Sequence, residues 1–230
     1  MAYPGGKAGS GAFQKIINQI PPHRVYIEPF LGAGAVMLHK RPALSSIGLD
    51  LDEEVIQAWK VVGPRPQNLI VEKRDAISFL RSYGFLGDEF VYCDPPYLYE
   101  TRSGGRRRIY THEFGDPEQH IELLTVLRSL LCSVAVSGYW SALYADYLRG
   151  WRALNFQVRT RGGTMATEWL WMNYPEPKEL HDYSYLGDNF RERERISRIR
   201  KNMAAKLERM DQLERYAVLA SIAEYRDGRR

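Results

Sequence analysis

Apolar residues along the chain fall in short runs separated by polar, proline- and glycine-bearing breaks. The period inside successive runs switches between that of a strand and that of a helix. Gly11 to Ile20 has helical spacing and is closed by Pro21-Pro22. Arg24 to Pro29 is a strand that runs into Phe30-Leu31-Gly32-Ala33-Gly34, and Ala35-Val36-Met37-Leu38 begin the next helix. Further strands are predicted at 46–51, 68–73, 89–94 and 133–137, and helices at 52–62, 76–83, 117–131 and 142–148. The stretches 156–160 and 168–174 flank Arg161-Gly162-Gly163-Thr164 as a hairpin. Strands and helices alternating at this spacing predict an α/β fold with a doubly wound, mainly parallel sheet. The hairpin adds an antiparallel edge.

Beyond Tyr174 the pattern changes. Residues 1–175 form the α/β domain, with a basic loop at 98–116, and 176–188 read as a proline-bearing linker. Residues 189–230 are a basic amphipathic helical extension, with one helix from about Phe190 to Tyr225. Ile196, Ile199, Met203, Met210, Leu213, Ala217 and Ala220 make a single apolar stripe on it. Its first half carries eight basic residues against Glu192, Glu194 and Glu208, an excess of five (8 − 3). Three roles fit this pattern: tracking phosphates, packing on the α/β domain, or forming a homodimer.

Composition narrows the class without choosing a function. With 44% hydrophobic and 26% charged residues the chain reads as an ordinary globular protein. No apolar run approaches the roughly 20 residues that a membrane span requires, and no secretion-signal pattern opens the chain. Cys93 and Cys132 stand alone, without the spacing of a metal site or a disulfide scaffold, so a reducing cytoplasm is expected. A net charge of +4 permits a polyanionic partner without requiring one.

In a doubly wound sheet, ligands bind beyond the carboxyl ends of the strands, and four groups of residues fall there. Gly32, Ala33 and Gly34 let backbone amides approach a ligand at a helix start. The third glycine of the dinucleotide fingerprint is missing, because Met37 occupies its position. Asp50, sixteen residues on (50 − 34), stands where a carboxylate can grip a ribose hydroxyl pair, while Asp52 either holds that role instead or caps the next helix. Asp75 ends the third strand and is a ligand acceptor or a helix cap. Asp94-Pro95-Pro96-Tyr97 ends the fourth strand, and four such residues in a row arise by chance in about one chain of this length in a thousand. An ionised carboxylate only accepts hydrogen bonds, two prolines fix the neighbouring backbone, and a tyrosine offers a flat face. Together they suit a planar base with an exocyclic amino group. Near the amino terminus, Tyr3-Pro4-Gly5-Gly6-Lys7 is not a phosphate loop, since Ala8 follows the lysine where Ser or Thr is needed.

Taken in order, Tyr3-Pro4-Gly5-Gly6-Lys7, Ile27 to Gly34, Gly48-Leu49-Asp50 and Cys93 to Tyr97 resemble the Dam-type DNA N6-adenine methyltransferases. Val136 to Tyr139 and Glu168 to Asn173 are similar to that family's later strands, so the resemblance covers roughly residues 3–175. It implies a Rossmann-like methyltransferase fold, S-adenosylmethionine as cofactor and double-stranded DNA as partner. By the same resemblance Tyr3 and Lys7 border the cofactor, and Phe30, Gly32, Ala33 and Gly34 cradle its methionine part. Asp50 then takes the ribose, Asp75 the adenine ring, and Asp94, Pro95, Pro96 and Tyr97 the target base, with Asp94 also facing the cofactor. A target buried in a duplex has to be flipped out.

One departure concerns recognition. Phe30 and Asp94 are sixty-four residues apart (94 − 30), which leaves no room for the helical recognition domain that larger relatives carry there. Attention moves to the loop after Tyr97, where Arg102, Arg106, Arg107 and Arg108 are candidates for nucleic-acid contact, with Tyr99 and Tyr110 flanking them. A solvated charged loop is the plainer reading. An RNA adenine methyltransferase would use the same cradle, and an inert nucleic-acid-binding subunit is a third possibility, although Asp94, Tyr97 and the glycines are all present.

Overall fold

Glu89–Cys93 is buried at all five positions, as a strand covered by helices on both faces must be. It is the fourth of seven strands: β1 (Val25–Glu28), β2 (Ser45–Asp50), β3 (Leu69–Lys73), β4 (Glu89–Cys93), β5 (Ser133–Gly138), β6 (Arg152–Arg159) and β7 (Met165–Met172). The computed structural model describes residues 7, 11–63, 65–102, 109–159 and 163–228. The sheet order is β3-β2-β1-β4-β5-β7-β6. Strands β1 to β5 pair in parallel, and β7 runs antiparallel between β5 and β6. The fold is therefore the α/β, Rossmann-like, mainly parallel sheet with an antiparallel hairpin that the sequence predicts.

Eight α-helices accompany these strands among the described residues: α1 (Ala12–Ile17), α2 (Ala35–His39), α3 (Glu53–Val61), α4 (Ala76–Ser82), α5 (Pro117–Ser129), α6 (Ala142–Tyr147), α7 (Phe190–Arg209) and α8 (Gln212–Arg226). Their starts are chemically marked. Asp52 accepts from the Glu54 amide, Asp75 from the Ser78 amide, and Asp116 with Gln119 forms a capping box ahead of Pro117. Leu123, Leu124 and Leu127 of α5 bury against Val91, Val134 and Val136, which locks β4 beside β5. None of the described helices is long and apolar enough to cross a membrane.

What matters for a ligand is where the winding reverses. From β1 the chain steps outward to β2 and β3, then returns to β4 on the other side of β1. The carboxyl ends of β1 and β4 therefore open a crevice at the switch point. The turns that leave those two ends are Pro29 to Gly34 and Asp94 to Tyr97.

Three segments differ from the sequence expectation. The hairpin strands are longer, because Arg152 and Leu154 pair with Met172 and Leu170 well ahead of Phe156. The carboxyl-terminal helix is two helices: Asp211 accepts from the Leu213 and Glu214 amides and starts α8 afresh, while Met210 is extended. The chain divides into units at 1–183 and 184–230, so the first part of the linker region belongs with the sheet. There the His181 amide donates to Ile20 O (2.8 Å), and the Arg41 amide donates to Asp182 (2.8 Å).

That docking brings His181 onto His23, ring on ring, with centroids 3.8 Å apart. Burial first, then the positive Lys40, lowers both: His23 to about 3 and His181 to about 4, from 6.5. Arg41 adds to the same effect, and backbone carbonyls oppose it. A histidine with a folded pKa below its unfolded value stabilises fully above about pH 6.5 and loses that contribution as pH falls toward 4. The thermal midpoint is expected to fall across that window, and His23→Gln should flatten the fall; a scan of melting temperature against pH checks it.

Candidate active site

Asp94 leaves the end of β4 with both carboxylate oxygens on one ammonium group. Lys7 Nζ lies 2.7 Å from Oδ1 and 2.6 Å from Oδ2. It also donates to the Tyr97 hydroxyl at 2.8 Å and sits 3.2 Å from Oε1 of Glu168, which projects from β7. The Tyr97 hydroxyl approaches the same Glu168 oxygen at 3.2 Å. Ser137 Oγ, from the end of β5, reaches Asp94 Oδ1 at 3.3 Å and shares a 2.7 Å hydrogen bond with the Tyr92 hydroxyl. Three neighbouring strands thus deliver one buried polar network.

Its charge balance is uneven: one ammonium faces two carboxylates. Burial works to lower the Lys7 pKa, but Asp94 and Glu168 together outweigh it and hold the amine above its ordinary value. Glu168 is pushed up by burial and by the Asp94 charge, against the pull of Lys7. Burial, with Asp94 next, raises the Tyr97 phenol well above its usual range, so it stays a donor. Tyr139 packs edge-on against its ring, with centroids 4.6 Å apart.

Opposite this network the turn after β1 forms the other wall. Gly32 and Gly34 have φ of 46° and 55°, a left-handed backbone that suits glycine. A Cβ on Gly34 would come within 2.3 Å of the Trp59 ring, itself fixed by a 2.9 Å bond from Nε1 to Gly32 O. Asp50 accepts from the Gly32 amide and the Asp52 amide, both at 2.9 Å, tying the turn to β2. Between the walls lies a cleft with about 940 Å³ of empty space, part of it open to solvent. Phe30, Gly32, Ala33, Gly34, Asp50 and Asp75 line one side, and Lys7 with Asp94 to Tyr97 the other. The open choice between Asp50 and Asp52 resolves here. Asp50 faces the cleft, whereas Asp52 caps α3. Asp75 does both, capping α4 and lining the cleft.

The loop after Tyr97 corrects the reading of Arg102. Arg102, read as a nucleic-acid contact, is buried: its Nε donates to Tyr97 O at 2.7 Å, and Nη1 pairs with Glu113 at 2.8 Å. Glu113 supplies the compensating charge that lets an arginine turn inward. Tyr99 is half-buried, its ring filling the space a Cβ on Gly115 would need. Tyr110 lines the cleft, its phenol raised to about 12 by burial and then by Asp94. Arg106, Arg107, Arg108 and Tyr3 lie outside the described residues.

Glu168, Ser137 and Glu28 escaped the sequence reading. Glu28 accepts from the Met37 amide and the Tyr26 hydroxyl, and burial raises it to about 8. The available signal was an ionisable residue at an inward position of an otherwise apolar strand: Glu168 precedes buried Leu170 and Met172 at two-residue steps.

S-adenosylmethionine suits this cleft on its own chemistry. The Gly34 turn leaves no room for a side chain beside Trp59, Asp50 would offer acceptor oxygens to a ribose, and Asp50, Asp75, Asp94 and Glu113 outnumber Lys7 and Arg74 in the lining, which would suit a sulfonium. Fold and site together define a Rossmann-like, S-adenosylmethionine-dependent methyltransferase. Residues 3–84, little more than a third of the chain, match the profile of the D12 class N6 adenine-specific DNA methyltransferases. This is the family that the four motifs resemble. No curated protein matches the chain in sequence. Among solved structures, precorrin 8W decarboxylase from Methanobacterium thermoautotrophicum is 15% identical over 74% of this chain and 91% of its own, at a TM-score of 0.48. An rRNA methylase from Streptococcus thermophilus is 11% identical over 70% and 93%, at 0.45. Magnesium protoporphyrin IX methyltransferase from Synechocystis, with bound S-adenosylmethionine, is 14% identical over 71% and 76%, at 0.44. None of the three carries an argument about substrate.

Proposed function

We propose that this chain methylates the exocyclic N6 of adenine in DNA. The observation that carries the reading is Asp94-Pro95-Pro96-Tyr97 at the switch point, facing the Gly32–Gly34 and Asp50 wall across one cleft. Adenine's amino lone pair is delocalised into the ring and attacks poorly. Acceptance of its two N–H bonds by the Asp94 carboxylate and the Pro95 carbonyl lets the nitrogen pyramidalise and recover nucleophilicity. Bound S-adenosylmethionine supplies a methyl group already made electrophilic by its sulfonium. Asp94 need not take a proton before attack; the surplus proton on N6 leaves afterwards, to Asp94 or to water. Tyr97 offers its face to the flipped ring. For the base to enter, Lys7 has to yield an Asp94 oxygen, and Glu168 with the Tyr97 hydroxyl stands ready to retain it.

DNA as the polyanion is supported by α7. Arg191, Arg195, Arg198, Asn202, Lys206 and Arg209 recur at steps of four, three, four, four and three, all exposed, with Glu192 3.9 Å from Arg195. They make a basic ridge about 27 Å long (18 residues at roughly 1.5 Å). Changing Arg191, Arg195, Arg198 and Arg209 to glutamine is expected to weaken binding to duplex DNA about equally for all sequences. It should also flatten the dependence of log affinity on log salt by about 0.9 for each phosphate that is no longer neutralised. Anisotropy titrations at several salt concentrations read both, and an unchanged slope makes the ridge an ordinary solvated face.

The reaction itself is tested by transfer of labelled methyl from S-adenosylmethionine to unmethylated genomic DNA, with structured RNA in competition. Label on adenine N6 of DNA is the expected result; label on RNA alone sinks the DNA reading.

A further inference from the structure

The sheet ends unevenly on the side of the site. β5 stops at Gly138, opposite Trp169 of β7, and Tyr139 turns away to pack on Tyr97. β6 and β7 stay paired for four more residue pairs, from Phe156 with Glu168 to Arg159 with Met165. At roughly 3.4 Å per residue, paired backbone continues about 14 Å past the end of β5. β5 runs parallel to β4, so this overhang rises from the edge that bears Asp94. Its base is anchored in the site itself, since Glu168 contacts both Lys7 and Tyr97.

The two faces of the overhang differ. Phe156, Val158 and Glu168 are buried, whereas Gln157, Arg159, Met165 and Thr167 are exposed on the opposite face. Gln157 Nε2 donates to Thr167 Oγ1 across the strands at 2.8 Å. An amide, a guanidinium, a hydroxyl and a thioether thus project together, and no carboxylate shares their face. A two-stranded ribbon of this width fits the major groove of B-DNA, and glutamine, arginine and threonine are side chains that read base edges there. Among the described residues, no inserted domain lies between Phe30 and Asp94. The sixty-three residues between Phe30 and Asp94 (94 − 30 − 1) are taken up by the helices and strands α2 to β4 and their short connections.

We infer that the β6–β7 ribbon is the sequence reader: it enters the major groove next to the flipped adenine, where Gln157 and Arg159 meet base edges. The inference rests on the DNA adenine reading. It makes the two strands that complete the sheet also the specificity element, and the short core needs no inserted domain.

The test uses the full chain, with methylated adenines in genomic DNA mapped at nucleotide resolution for wild type, Gln157→Ala, Arg159→Ala and the more conservative Arg159→Lys. In the wild type, methylation concentrates in one sequence context. Each variant lowers the rate in that context by roughly tenfold or more, while rates at other adenines and affinity for S-adenosylmethionine change less than about twofold. The preference then relaxes at one or two positions. Arg159→Lys keeps the charge and the ribbon, so a relaxed preference in that variant is a change of readout and not of folding. An unchanged context in all three variants overturns the inference, as does methylation by the wild type without sequence preference; both leave DNA adenine methylation standing. Methylation of RNA alone removes the underlying reading and the ribbon's role with it.

Discussion

Asp94→Ala lowers methyl transfer by about a thousandfold or more and leaves S-adenosylmethionine binding within a few-fold of wild type. The magnitude follows from what the carboxylate does. Loss of one preorganised group aimed at charge that develops in the transition state costs roughly 10²–10³ in rate. Asp94 also positions the amino group, so the upper end applies. The fold should tolerate the change, because the network holds one ammonium and two carboxylates. Without Asp94, Lys7 keeps Glu168 and the Tyr97 hydroxyl, and a balanced buried pair replaces an overcharged triad. Single-turnover transfer from labelled cofactor measures the first part, and calorimetric titration the second. Turnover close to wild type would exclude the carboxylate from the chemistry, whereas loss of cofactor affinity would reassign Asp94 to the opposite wall of the cleft.

Gly34→Ala strikes that opposite wall. A φ of 55° costs an alanine about 1 kcal/mol or more. Its Cβ would also sit 2.3 Å from the Trp59 ring, which cannot swing aside without breaking its bond to Gly32 O. Overpacking of this kind costs about 1–3 kcal/mol, so together the two effects lower stability by about 2–4 kcal/mol. The turn has to move, and Gly32 with its amide on Asp50 moves with it. Cofactor affinity is expected to fall at least about tenfold, which is about 1.4 kcal/mol. Thermal unfolding and calorimetric titration separate the two effects. A destabilised variant that binds S-adenosylmethionine as tightly as wild type would show that the turn does not cradle it.

Much of this architecture was legible because period and punctuation agree. β1, β2, β4 and β5 end at or just before Asp, Gly or Pro, and α3, α4 and α5 begin at the capping residues Asp52, Asp75 and Asp116. Asp94 to Tyr97 could be placed because it follows a strand with no polar face. What stayed hidden depends on partners far apart in the chain. Glu168 joins Tyr97 across 71 residues, and Lys7 joins Asp94 across 87. No local pattern announces either contact. Arg102 was misread for the same reason: its class suggests solvent, and only Glu113, folded back beside it, makes burial tolerable. The break at Met210 was written in Asp211, but a continuing apolar stripe concealed it.

The clamp of Lys7 on Asp94 has a consequence for what the protein ignores. Because the lysine belongs to the same chain, its hold on the carboxylate does not weaken with dilution, and every incoming amino group meets a competitor already in the seat. Under the proposed function, the contacts of the groove, the backbone and a stacking ring are what a base in DNA brings against that hold. Under the same proposal, the resting network sets a threshold through Lys7 and its two carboxylates, which an entering base has to exceed before any chemistry begins.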